Sequence, residues 1–130
     1  MQTGPLALLL LAPALVYGAD SQNIPSCDGG QGSAQANAAQ HSVKLTWQAS
    51  APANSKSGSK VVGYNIYRSE SGNCSRPSKE CTKISHALIK GTSCADYSVR
   101  SGHTYTYGTQ AVSANAATST LSNQAKVTVP

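Results

Sequence analysis

The chain has 130 residues, room for one domain. Charged residues make up 12% of it, and its aromatics are six Tyr and one Trp with no Phe. These counts exclude a large aromatic core and leave a modest one, the kind that is often reinforced by disulfides. The formal net charge of +5 bears on solubility and encounter with acidic partners, not on fold.

In chain order, the first element is "PLALLLLAPALVYGAD". It is too short, and broken by Pro13, for a membrane-spanning helix of roughly 20 residues. It reads as a secretory signal peptide over residues 1–18, cut after Gly18 with Val16 three residues from the cut. The first Lys or Arg is Lys44, so the usual basic n-region is missing. Either the true start lies elsewhere or the free amino terminus supplies the charge. No cysteine closes the apolar run, which argues against a lipid anchor. The expectation is a secreted or periplasmic protein with no stable membrane insertion after cleavage.

Residues 19–40, "ADSQNIPSCDGGQGSAQANAAQ", are small and polar without periodicity. They read as a flexible tail pinned at Cys27. Its alanines offer at most a faint first strand.

From His41 the text alternates. "HSVKLTW" sets Val43, Leu45 and Trp47 against Ser42, Lys44 and Thr46. "VVGYNIYR" sets Val62, Tyr64 and Ile66 against Gly63, Asn65 and Tyr67. "CTKISHALI" is weaker, anchored at Ile84, and "SCADYSV" offers Val99. "SGHTYTYGTQAV" puts Tyr105, Tyr107, Thr109 and Ala111 on one side, and "LSNQAKVTV" closes the chain. Successive strand side chains point to opposite faces, and turn-rich pieces separate the runs. Gly108 and the threonines disfavour a helix at the tyrosine pair. Several short alternating strands predict an all-β antiparallel sandwich over residues 41–130.

Export makes disulfides the default state of Cys27, Cys74, Cys81 and Cys94. Of three possible pairings, Cys74–Cys81 with Cys27–Cys94 is preferred. The first would staple a hairpin around "SRPSKE", and the second would tie the tail to the domain. On the chain-entropy model they contribute about 2.5 and about 4 kcal/mol. Structural zinc usually needs close Cys or His pairs two to four residues apart, and this spacing offers none.

Taken together, "VKLTW", "VVGYNIYRS", "VRSGHTYTYGTQAVSA" and "SNQAKVTV" resemble a fibronectin type III domain. The resemblance is to the versions found in secreted bacterial proteins and covers residues 41–130. It implies about seven antiparallel strands with Greek-key connections. It implies that Trp47 is the core tryptophan, faced by Tyr64 and Ile66. Tyr105 would form a tyrosine corner, its hydroxyl bonded to backbone between Val99 and Gly102, with Tyr107 filling the core. An immunoglobulin domain would place its second inter-sheet cysteine at Tyr107 and its tryptophan on the third strand. The departures are the two cysteine pairs, the faint first strand, and Cys94 where relatives often carry an aromatic.

No catalytic motif is present. His41, His86 and His103 are scattered, and Asp20, Asp28, Glu70, Glu80 and Asp96 form no paired motif. There is no nucleophile elbow, zincin helix or phosphate-binding glycine loop. Asn73-Cys74-Ser75 matches a glycosylation sequon, a short pattern that chance supplies easily. The expectation is a monomeric, non-catalytic module that needs no cofactor or metal and binds no nucleic acid. It would serve protein or polysaccharide interaction, or spacing, with an accessory part of a larger secreted carbohydrate-active system as the alternative. Tyr67 and Arg68 on an exposed strand face are the first candidate contacts. Lys56 and Lys60 in the long connection are the second, expected to be weaker and salt-sensitive.

Overall fold

The computed structural model describes the backbone of residues 14–17 and, in full, residues 25–28, 41–49, 60–122 and 124–130. Seven strands follow one another: β1 Ala14–Tyr17, β2 His41–Thr46, β3 Val61–Ser69, β4 Thr82–Lys83, β5 Ser93–Asp96, β6 Thr104–Ser113 and β7 Ala125–Thr128. They form two antiparallel sheets, ordered β1-β2-β5 and β4-β3-β6-β7. No helix occurs among the described residues, and none is long and apolar enough to cross a membrane. The architecture is a β-sandwich.

The alternation written in the sequence becomes the core. Val43, Leu45 and Trp47 from one sheet meet Tyr64, Ile66, Tyr105, Tyr107 and Ala111 from the other. Trp47 packs edge-on against Tyr64, with ring centroids 5.4 Å apart, a geometry that suits aromatic quadrupoles. Burial of such side chains is the main favourable term in folding, at about 1.5–3 kcal/mol each.

The faint first strand expected in the tail, among the alanines of residues 29–40, falls largely outside the described residues, and the first described strand lies before it. Ala14–Tyr17, inside the apolar run read as a leader, pairs with β2 from Ala14↔Lys44 to Tyr17↔His41. Val and Tyr suit a sheet edge, and the backbone of β2 offers one. The proposed cut after Gly18 lies outside the described residues.

The other edge of that sheet is taken by residues 25–27. Ser26 bridges Ala95 in parallel, Cys27 N–H donates to Ala95 O, and Ala95 N–H donates to Pro25 O. Disulfide Cys27–Cys94 locks this addition in place, and Cys74–Cys81 closes the connection after β3. All four cysteines are paired.

The strand expected in "CTKISHALI" is cut to two residues for a physical reason. After β4 the chain still follows β3, but irregularly. Ile84 N–H donates to Ile66 O, and Tyr64 and Ile89 exchange backbone bonds. At the centre a side chain intervenes: Ile66 N–H donates to Ser85 Oγ, 3.0 Å away. The far edge repeats the device. Thr109 N–H donates to Ser122 Oγ at 3.0 Å, and Ala111 N–H donates to Ser119 Oγ at 2.9 Å. Buried serines thus replace ladder carbonyls on both flanks of the β3–β6 pair, which satisfies buried N–H groups without regular strands.

Candidate functional site

Tyr67 and Arg68 are consecutive on β3, so the pleat sends them to opposite faces. The structure therefore separates a pair that the sequence reading had placed together on an exposed face. Arg68 points inward. Its Nη1 donates to Asp96 Oδ2 at 2.7 Å, and the side chains are only 19% and 4% exposed. The same nitrogen donates to Ser98 Oγ at 2.8 Å, and the guanidinium carbon lies 5.2 Å from the centre of the Tyr105 ring. Burial works against the charge on Arg68, but the neighbouring Asp96 carboxylate outweighs it and holds the guanidinium above its ordinary range. Arg68 is accordingly not a surface contact. Alternation alone signals this, because Arg68 has the parity of Tyr64 and Ile66.

Asp96 sits at the end of β5, the strand whose neighbours are β2 and residues 25–27. Its Oδ2 also accepts from the Tyr107 hydroxyl at 2.7 Å. Its Oδ1 accepts from Ser98 N–H at 3.1 Å and Ser98 Oγ at 2.8 Å. Four internal donors occupy an acceptor with about four lone-pair sites. Burial, and then the Asp96 charge, push the Tyr107 phenol far above its ordinary value. Tyr107 therefore fills the core and ties the two sheets through its hydroxyl. The second role was not legible, because nothing in the spacing joins positions 68, 96 and 107.

Tyr105 caps the corner beside this cluster. Its hydroxyl accepts from Arg100 N–H at 3.0 Å. The intervening turn uses Gly102 at φ 84°, a left-handed conformation that glycine adopts without penalty.

A cleft of about 200 Å³ opens over the cluster, lined by Ser26, Asp28, Ile84, Asp96, Tyr97 and Ser98. Its buried carboxylate is the one already saturated. Among the described residues no three His, Cys, Asp or Glu side chains come together to hold a metal ion.

The outward face of the four-stranded sheet is different in character. Strand parity puts Asn65 and Tyr67 of β3, Gln110 of β6 and Lys83 of β4 on it. Tyr67 lies opposite Lys83 on one side and Gly108 on the other, and Asn65 lies opposite Gln110. Asn65 Nδ2 donates to Gln110 Oε1 at 3.1 Å. Partial burial pushes the Tyr67 phenol up from its ordinary value. The rims are set by two glycines. A Cβ on Gly63 would stand 2.8 Å from Leu88 Cβ, and one on Gly108 would stand 3.3 Å from Cys74 O. Only bare backbone lets Leu88 and the disulfide-closed connection settle onto the sheet. The result is a shallow trough with polar Asn65 and Gln110 and one half-buried aromatic ring along it, bounded by the Leu88 side chain at one end and by Cys74 O and the Leu121 side chain at the other.

Of the two lysines in the long connection, Lys60 is exposed where β3 begins. Lys56 lies outside the described residues.

No family model and no curated protein matches the chain. Solved structures do. A fibronectin type III-like protein from Clostridium thermocellum aligns with 68% of this chain and 77% of its own, at 27% identity and a TM-score of 0.51. A pectate lyase from Pectobacterium carotovorum aligns with 98% of this chain at 19% identity and a TM-score of 0.52. This chain spans only 27% of that lyase. A structure described as a myokine aligns with 98% of this chain and 99% of its own, at 15% identity and a TM-score of 0.53. The sheet orders and the likeness to the Clostridium thermocellum protein agree on a fibronectin type III-like sandwich.

Proposed function

We propose that the protein is a secreted, non-catalytic fibronectin type III module, of the kind carried by secreted bacterial proteins. It recognises a protein or glycan through the outward face of its four-stranded sheet. The observation that carries this reading is the division of polar chemistry between the two sides of β3. On the inner side, the Asp96 carboxylate spends its hydrogen-bonding capacity on Arg68, Tyr107 and Ser98. A carboxylate in that state is a structural anchor, whereas catalysis needs groups within reach of a reacting atom. On the outer side, Tyr67, Asn65, Gln110 and Lys83 share one rigid surface. Two disulfides fit a life outside the cytosol.

A second reading is an accessory part of a larger secreted carbohydrate-active system. The pectate lyase likeness motivates it, since there a comparable sandwich occupies about a quarter of a longer chain. Both readings place recognition on the module and chemistry elsewhere.

The test is capture from culture medium and cell-envelope fractions by immobilised protein, with Tyr67→Ala alongside. Partners retained by the natural protein and lost by the variant are the expected result. Capture that ignores the substitution contradicts the assignment of the face.

A further inference from the structure

We infer that the outward trough binds an extended polysaccharide bearing carboxylate groups, with Tyr67 as the stacking surface and Lys83 as the counter-charge. The inference rests on the interaction-module reading and names its ligand class. Lys83 is the direct cross-strand partner of Tyr67, a position whose side chains lie within roughly 4.5–5.5 Å at Cβ. An ammonium at the edge of an aromatic ring is suited to a ligand with an apolar ring face and an attached anion, which describes a uronate sugar. Asn65 and Gln110 sit one step along the same face, about 7 Å away along the strand, on the order of one sugar ring. Their amides are joined by one hydrogen bond. That leaves donor and acceptor capacity on the pair for ligand hydroxyls.

Charge complementarity favours an anion. The outward strand positions of this sheet carry Lys83 and Lys126, while no carboxylate lies on β4, β3, β6 or β7. Of the nearby acids, Glu70 pairs with His103 and Glu80 accepts from Ser71. The surface chemistry disfavours a protein partner. Protein interfaces have an apolar core with several large anchors. Here Tyr67 is the single aromatic ring on the outward strand positions, flanked by half-buried Leu88 and Leu121, and Val62 is the one large hydrophobic side chain exposed among the described residues.

The experiment is calorimetric titration of the full chain with a galacturonate oligomer, its methyl ester, and a DNA duplex of matched charge. The acid should bind, and esterification should weaken it about tenfold, the loss expected for one charge-assisted hydrogen bond. Lys83→Ala should cost a similar factor, Tyr67→Ala should abolish measurable binding, and Tyr67→Phe should retain it. Arg76→Ala/Lys79→Ala, which removes two charges from the disulfide loop, should change affinity less than about twofold, as expected for rim charges. Equal binding of the ester or of DNA, or a loop variant as weak as Lys83→Ala, overturns the inference in favour of bulk charge. Lys83→Ala lies on an exposed edge strand, so its result stands even if Tyr67→Ala fails to fold. A protein that ignores the oligomer yet still captures a partner through Tyr67 loses this ligand class and keeps the module reading. Capture insensitive to Tyr67 defeats that reading itself.

Discussion

Tyr105 and Tyr107 stand two residues apart on one strand face, yet their hydroxyls do different things. Tyr105 accepts a backbone N–H from Arg100 across a turn. Tyr107 donates to a buried carboxylate. Removing the first hydroxyl breaks a part-buried bond to the Arg100 N–H, so Tyr105→Phe should lower stability by about 0.5–1.5 kcal/mol. Tyr67→Phe should leave the urea midpoint unchanged, and equal midpoints for wild type and Tyr105→Phe would argue against the corner. Asp96→Ala orphans Arg68 and Tyr107 together and should cost at least about 3 kcal/mol, as for breaking other buried ion pairs; a urea melt within 1 kcal/mol of wild type would contradict the anchor role. Tyr107 also sets an alkaline limit. Its phenol is raised in the folded state, so its contribution is fully present below the unfolded tyrosine value of about 10 and falls as pH rises above it. Urea midpoints measured from pH 8 to pH 11 should drop at the upper end, and Tyr107→Phe should flatten that drop.

Most of the elements were legible, and the reason is local. In β2, β3 and β6 the period of two marks the core anchors Val43 and Leu45, Tyr64 and Ile66, and Tyr105 and Tyr107. Val62, expected on the inner side, is however exposed beside a bulge, and β6 is buried on both faces from Tyr105 to Thr109. The flanks were not legible, because Ser85, Ser119 and Ser122 look like loop residues and act as ladder acceptors. No periodicity marks a hydroxyl that replaces a carbonyl. The device has a measurable cost when removed. Ser85→Ala or Ser122→Ala strands the N–H of Ile66 or Thr109 and should destabilise by about 1–3 kcal/mol, whereas Lys79→Ala in the exposed loop should stay within about 0.5 kcal/mol. Thermal melts of the three variants check this. The candidate face was half legible for the same geometric reason. Alternation singles out Tyr67 and Asn65, but Lys83 and Gln110 join them only through strand register.

At the scale of the whole molecule, two sheets are joined by a polar rivet of Arg68, Asp96 and Tyr107, and a disulfide fixes an extra edge segment to β5. The long-range bridge Cys27–Cys94 should carry more of the stability than Cys74–Cys81, about 4 against about 2.5 kcal/mol. Selective removal of each pair by paired Cys→Ser substitution, followed by urea melts, should reproduce that order. The rigid frame leaves recognition to the outer sheet face, or else to the loop end that carries Lys60 and the turn at residues 114–118. Amide chemical-shift mapping during titration with a polyuronate oligomer separates these most directly. Shifts gathered at Asn65, Tyr67, Lys83 and Gln110, with the turn at residues 114–118 still, are what the outer-face account predicts. Shifts gathered at Lys60 and that turn, with Tyr67 and Lys83 unmoved, would contradict it.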